Sequence, residues 1–254
     1  MGAAFEVWNN QKQNKLNIFN SRNLVDMDGM KGCLLGPEFS ESEIYQCLAE
    51  HNAVYKKFEE CEMLDEVATL LSSGAIIGWF LGRMEFGPRS LGNRSILGDA
   101  RVPNIQSEIN RKVKFRESFR PFAPSVLKER VSEYFDIKND SPYMQMVAPV
   151  AKGQLIKNND NTLEGFDRLN CLRSKIPSVT HVDGSARVQT VCKRNNPLYW
   201  KLLKRFEKIT NCGVLLNTSF NVRGEPIVCS PDDAYRCVVN TAIDYLVVGN
   251  FLLI

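Results

Sequence analysis

Histidine is scarce in this chain. Two occur in 254 residues, His51 and His181, far apart in the sequence. That argues against a His-rich metal site and leaves few options for a Ser/His or Cys/His catalytic pair. The eight cysteines show no CxxC spacing, and several sit in apolar segments. Reduced core thiols are therefore expected, not disulfides or a zinc site. No apolar run approaches the ~20 residues needed to cross a bilayer. Met1 to Val7 carry neither a basic n-region nor a long apolar h-region, so no signal peptide is expected and a cytoplasmic protein is. Neither a Walker A motif nor a GxGxxG fingerprint occurs, so any nucleotide needs a different cradle. A net charge of +3 is too mild to imply duplex nucleic acid. No nucleic-acid or membrane partner is expected.

What the chain does have is charge in one place. Residues 83–120 hold nine Lys/Arg and four acids, +5 locally, so the rest of the chain sums to −2. The segment Gly82 to Arg101 is broken by Gly and Pro and leaves helical or strand periodicity. Arg presents a planar fork that pairs bidentately with phosphate, and Gly lets backbone N–H groups approach an anion. Arg89 stands between Gly87-Pro88 and Gly92. On a strand Lys114, Arg116 and Arg120 share a face; on a helix only Arg116 and Arg120 do, and Pro121 with Pro124 favours the extended path. The competing reading is a solvated basic face paired with Glu85, Asp99 and Glu117.

Two polar clusters lie further along the chain. In His181-Val-Asp-Gly-Ser-Ala-Arg-Val-Gln189, the Asp-Gly turn precedes Ser185, Arg187 and Gln189, which alternate on one strand face. A ligand or a wet edge strand explains that pattern equally. In Asn217-Thr-Ser-Phe-Asn221, an apolar strand ends in hydroxyls and amides ahead of Gly224. Side chains placed so commonly meet phosphate or nucleotide, although an ordinary turn has the same composition.

Around these, Ser40-x-x-Glu43 predicts a helix from about 41. Leu64, Val67, Ala68 and Leu71 predict a second, closed by Gly74. Residues 75–81 read as a strand, 103–113 and 126–135 as short helices, and 143–150 and 188–192 as strands. Residues 152–176 read as a loop. Leu198 to Ile209 form an amphipathic helix, Ser230-Pro-Asp-Asp233 starts another, and 214–216, 245–248 and 251–254 are strands. The mixture gives an α/β or α+β domain over about 72–254.

The four segments Gly82 to Leu97, Arg116 to Leu127, His181 to Val191 and Leu215 to Val228, in this order, closely resemble the C-terminal domain of the O-carbamoyltransferases that modify nodulation factors, cephamycins, novobiocin-type sugars and aminoglycosides. The resemblance covers roughly 75–254 and implies a YrdC-like twisted mixed sheet with flanking helices. It also implies the chemistry. Carbamoyl phosphate loses its phosphate, the carbamate attacks the α-phosphate of ATP, and O-carbamoyl-adenylate forms for transfer to a hydroxyl of a sugar or natural product. Carried over position by position, Arg89, Lys114, Arg120, Arg187, Asn217 and Ser219 hold carbamoyl phosphate and the nucleotide, with Lys114, Arg120 and Arg187 catalytic. Arg83, Arg116 and Asn221 are secondary candidates. ATP brings Mg²⁺, whose protein ligands are not assigned.

The family's N-terminal, actin-like domain carries a histidine metal motif, and no HxxxH occurs here. Residues 1–71 resemble only that domain's tail and linker helices, ahead of a C-terminal domain at 72–254. The chain is expected to activate carbamate and to need a separate actin-like partner for transfer. The alternatives are a non-catalytic module docking on such a partner, and a threonylcarbamoyl-AMP synthase-like enzyme of tRNA modification. The Arg-Pro-Phe-Ala-Pro and Asp-Gly-Ser-Ala-Arg motifs favour the first reading.

Overall fold

The computed structural model describes residues 30–156 and 171–253, with the single positions Val7, Gly165 and Leu169 besides. The helical tail expected near the N-terminus lies outside the described residues, as does part of the polar segment 152–176. Gly32–Ile254 forms one compact unit.

Ile77–Phe80 (β2), Arg94–Asp99 (β3) and Ala123–Leu127 (β4) are buried at every position. Strands buried on both faces belong inside a sheet. With Tyr55–Lys57 (β1), Met146–Pro149 (β5), Ser185–Val191 (β6), Val214–Ser219 (β7), Tyr245–Val248 (β8) and Phe251–Leu253 (β9), nine strands among the described residues form one mixed sheet in the order β1-β9-β8-β2-β3-β7-β4-β6-β5. The pairs β2–β8 and β4–β6 are parallel; the remaining neighbours are antiparallel. The fold is mixed α/β, as the sequence predicts.

Two central strands went unread in the basic segment. β3 lies inside the stretch taken as irregular, because Arg94 and Asp99 disguise a fully buried run. β4 takes Val126 and Leu127 out of the helix expected at 126–135, leaving a 3-10 turn at Lys128–Arg130 and one helical turn at Val131–Tyr134. Pro124 is tolerated in β4 because pairing with β6 begins only at Ser125, so its missing N–H costs no bond there.

Helix Glu41–Glu50 (α1) starts at a capping box. Ser40 Oγ accepts from the Glu43 N–H and Glu43 Oε2 accepts from the Ser40 N–H at 2.7 Å. Helix Glu60–Ser72 (α2) turns Met63, Leu64, Val67, Ala68 and Leu71 inward. Both helices join the sheet's hydrophobic cluster, so residue 72 is the end of a helix within the compact unit. Ile105–Glu108 (α3) continues as a π-helical turn over Ile109–Val113. Val131–Tyr134 is α4. Pro197–Thr210 (α5) is capped by Asn196 and ends at Asn211 in the left-handed region, φ 56°. Lys201–Glu60 at 2.5 Å and Arg205–Asp65 at 2.7 Å tie it to α2. Pro231–Val239 (α6) starts at a second capping box, Ser230 with Asp233.

Candidate functional site: a cationic cleft

Three loops meet at the end of β7. The first, 82–93, leaves β2 and is gathered around a buried carboxylate. Glu85 Oε1 accepts from the N–H groups of Leu91 at 2.6 Å and Asn93 at 2.8 Å. Burial raises the Glu85 carboxyl above its ordinary range, against the pull of these bonds. Trp79 Nε1 donates to the Gly92 carbonyl at 2.8 Å. Gly92 is required: φ is 110°, and a Cβ there would stand 2.1 Å from Tyr199 Cδ1.

The second loop, 114–122, is not the strand expected for Lys114, Arg116 and Arg120. Lys114 caps the π-helical turn and Phe115 is left-handed, φ 47°. Buried Asn110 organises residues 116–120. Its Oδ1 accepts from Arg116 Nε at 2.6 Å and its Nδ2 donates to the Ser118 and Arg120 carbonyls at 3.0 and 2.8 Å. The third is the 181–184 turn entering β6, where Ser185 Oγ donates to Asp183 Oδ1 at 2.6 Å and lies 3.0 Å from His181 Nδ1.

Between them lies a cleft of about 430 Å³. Arg89, Arg116, Arg120 and Arg187 line it, with Ser90, His181, Asn217, Thr218 and Ser219, and no carboxylate lines it among the described residues. Burial pulls the Arg116 and Arg187 guanidinium pKa values down, helped by Arg120 and Arg89 respectively. Like charges held together, partly desolvated and without an acid among the lining residues make a site for an anion. A second cleft, about 340 Å³, shares Pro121 and His181 with the first.

Six of the nine candidate residues thus line one cleft: Arg89, Arg116, Arg120, Arg187, Asn217 and Ser219. Lys114 and Asn221 stand behind it. Lys114 Nζ donates to the Ser219 carbonyl, to Asn221 O and to Asn221 Oδ1, the last two at 2.8 Å. Burial and the neighbouring Arg116 push the Lys114 ammonium down to about 7, with Cys237 opposing the shift. Ser219 Oγ also donates to Asn221 Oδ1, at 2.7 Å. Arg83 does not line the cleft; it pairs with Glu38 at 3.4 Å and donates to the Gly36 carbonyl. Arg94 is structural as well. Its guanidinium lies 3.6 Å from the Phe80 ring centroid and donates to the Leu81 and Asn93 carbonyls at 3.0 Å. Gln189 is buried rather than on a wet face. Asn110 is a support that sequence reasoning missed, and Glu85 and Gln189 are supports where it expected an ion-pair partner and a polar strand face. An acid within a cationic, Gly-rich loop was the available signal for Glu85.

One further cluster, Cys47, His51 and Asp232, brings three possible metal donors within 4.8 Å of one another. His51 Nε2 already meets Asp232 Oδ1 at 2.7 Å, and Arg236 pairs with the other Asp232 oxygen. The thiol's pKa is raised by burial and by Asp232. These groups tie α1 to α6.

The fold and the cleft define a mixed α/β domain with four guanidiniums lining one cleft. Residues 68–254 match the family described as Carbamoyltransferase C-terminus, and the chain belongs to that family. An uncharacterised protein, sll1178, of Synechocystis is 50% identical over the whole chain, which covers 41% of that protein. Nodulation protein NolO of Bradyrhizobium diazoefficiens is 44% identical over 76% of the chain and 32% of itself. Nodulation protein U of Rhizobium tropici is 37% identical over 70% of the chain and 27% of itself. The chain thus spans less than half the length of each of these relatives. The solved structure of full-length HypF in its phosphate- and nucleotide-bound form gives a TM-score of 0.48 at 14% identity, covering 77% of this chain and 22% of that one, too loose a match to place a ligand.

Proposed function

We propose that the cationic cleft binds carbamoyl phosphate and ATP and forms O-carbamoyl-adenylate, whose carbamoyl group a separate domain passes to a hydroxyl. The observation that carries this reading is the set of four guanidiniums on a cleft without an acid among its lining residues, in a chain of the carbamoyltransferase family. Water cleaves carbamoyl phosphate to carbamate and inorganic phosphate. A carbamate oxygen then bonds to the α-phosphorus of ATP, the α–β phosphoanhydride bond breaks, and pyrophosphate leaves with the electron pair. Such a displacement needs positioning and charge neutralisation more than covalent help. Arg89 and Arg187 neutralise the phosphate end, Arg116 and Arg120 face them from the 114–122 loop, and Lys114 holds Ser219 in place from behind. The adjoining cleft, on the far side of His181 and Pro121, takes the nucleoside.

Mg²⁺ enters on the nucleotide phosphates. The lining offers it hydroxyl and amide oxygens and no carboxylate, which fits a metal carried by the substrate. The acceptor step belongs to an actin-like domain supplied separately. The greater length of the relatives leaves room for one.

Pyrophosphate release from the full chain with ATP, Mg²⁺ and carbamoyl phosphate tests the reading. Carbamoyl phosphate is expected to stimulate release, and Lys114→Ala and Arg120→Ala are each expected to abolish it while circular dichroism is unchanged. No stimulation overturns the proposal. Dependence on threonine and bicarbonate instead points to a threonylcarbamoyl-adenylate synthase.

A further inference from the structure

Two buried polar atoms on residues lining the cleft have no partner within the protein: Asn217 Oδ1 and Ser90 Oγ. Asn217 is 1% exposed and Ser90 2%. Orphans of this kind are costly and call for a ligand or water.

The direction of the Asn217 amide is fixed by a chain of bonds starting at a backbone carbonyl. Leu91 O can only accept, so Gln189 presents Nε2 to it, at 2.7 Å. Gln189 Oε1 therefore faces the other way, where it accepts from Ser125 Oγ at 2.6 Å and from Asn217 Nδ2 at 2.8 Å. Ser125 stands opposite Gln189 in the β4–β6 register, so the sheet itself sets this geometry. Asn217 Nδ2 also donates to the Ser90 carbonyl at 3.2 Å and to Ser125 Oγ at 3.0 Å. Both Nδ2 protons are committed, and Oδ1 is left over as a pure acceptor.

A pure acceptor repels phosphate oxygens. Among guanidiniums that already suit phosphate, it suits a ligand group bearing N–H. An amide N–H donor beside a carbonyl acceptor is what distinguishes a carbamoyl group from other acyl groups, and the pair Asn217 Oδ1 and Ser90 O–H is its complement. Resting on the proposed carbamoyl phosphate site, we propose that Asn217 is the residue that reads the carbamoyl –NH₂, with Ser90 offering a donor to the carbamoyl oxygen, and that it excludes acyl phosphates lacking N–H.

Acetyl phosphate, with methyl in place of –NH₂, is the probe. Calorimetric titration of the full chain with carbamoyl phosphate, acetyl phosphate and inorganic phosphate is expected to show a preference for carbamoyl phosphate over acetyl phosphate on the order of 10- to 100-fold. Asn217→Ala is expected to collapse that preference while inorganic phosphate binds as before. Equal wild-type affinities for the two acyl phosphates overturn the inference and leave the proposed function standing; this measurement needs no variant and survives a misfolded Asn217→Ala. Equal losses of phosphate and carbamoyl phosphate in a folded Asn217→Ala also overturn it, because the residue then serves the phosphate or the scaffold. A wild-type chain that binds none of the three ligands removes the proposed function, and the inference with it.

Discussion

Glu85 Oε1 accepts the Leu91 N–H at 2.6 Å, and the same oxygen takes the Asn93 N–H at 2.8 Å. One carboxylate oxygen therefore closes the loop that carries Arg89 and Ser90 into the cleft. Removing it strands two or more buried N–H groups, each worth about 1–3 kcal/mol. Glu85→Ala is expected to lower the urea midpoint strongly and to weaken phosphate binding. Glu85→Gln, which keeps an acceptor oxygen, is expected to lose less of both. Equal loss in the two variants would show that the negative charge facing Arg94, and not the acceptor, holds the loop.

Gly92 offers a separate test of the same loop. Alanine there meets Tyr199 at 2.1 Å and adopts an unfavourable φ of 110°. Overpacking and backbone strain together predict a loss of about 2–4 kcal/mol in chemical unfolding of Gly92→Ala. A change within error would mean that the loop and α5 part without cost. Gly87, also at positive φ but with open space around it, is expected to show the smaller, backbone-only penalty.

These supports explain how much of the site was legible. Arg89, Arg187 and Ser219 could be read because their chemistry is visible in the residue type, and the sheet brings them together at the end of β7. Helices with caps, such as those starting at Ser40 and Ser230, were legible for the same local reason. β3 was not, since a buried strand holding Arg94 and Asp99 looks polar until Phe80 and Arg101 are seen against them. Nor was the role of Lys114, which depends on a π-helical turn and on carbonyls 105 and 107 residues away. The alternation marks Gln189 as polar on a strand face but not as a buried amide, and Asn110 has no sequence signal at all, because the function of both lies in which groups surround them.

Lys114 makes the chain's stability depend on pH in a definite direction. Its folded pKa is about 7, below the ordinary lysine value of 10.5, so between these values the unfolded chain binds a proton that the folded chain does not. Stability from this group is complete above 10.5 and is lost as pH falls towards 7. Wild type measured against Lys114→Met by urea unfolding is therefore expected to gain with rising pH across that window, by at most about 1.4 kcal/mol per pH unit. A flat difference would show that the Ser219 and Asn221 oxygens keep the ammonium charged throughout. Cys237 titrates near the top of this window and feels Lys114, so both proteins are compared in a Cys237→Ala background.

Arg187 and Arg83 separate cleft charge from surface charge. Arg187 lines the cleft, half-buried, and its pKa is lowered by that burial and by Arg89, so an anion relieves a repulsion already present. Arg83 has Glu38 beside it and does not line the cleft. Losing a charge-assisted bond to a desolvated anion is worth about 1.5–3 kcal/mol, which corresponds to roughly 10- to 150-fold in affinity. Arg187→Ala is expected to weaken pyrophosphate binding by that factor, and Arg83→Ala to change it less than about twofold. Salt separates the two further, since raising ionic strength screens the exposed Arg83 more than the half-buried Arg187. Equal losses in the two variants would mean that the anion is held by the diffuse charge of the basic segment, and the cleft would no longer be its site.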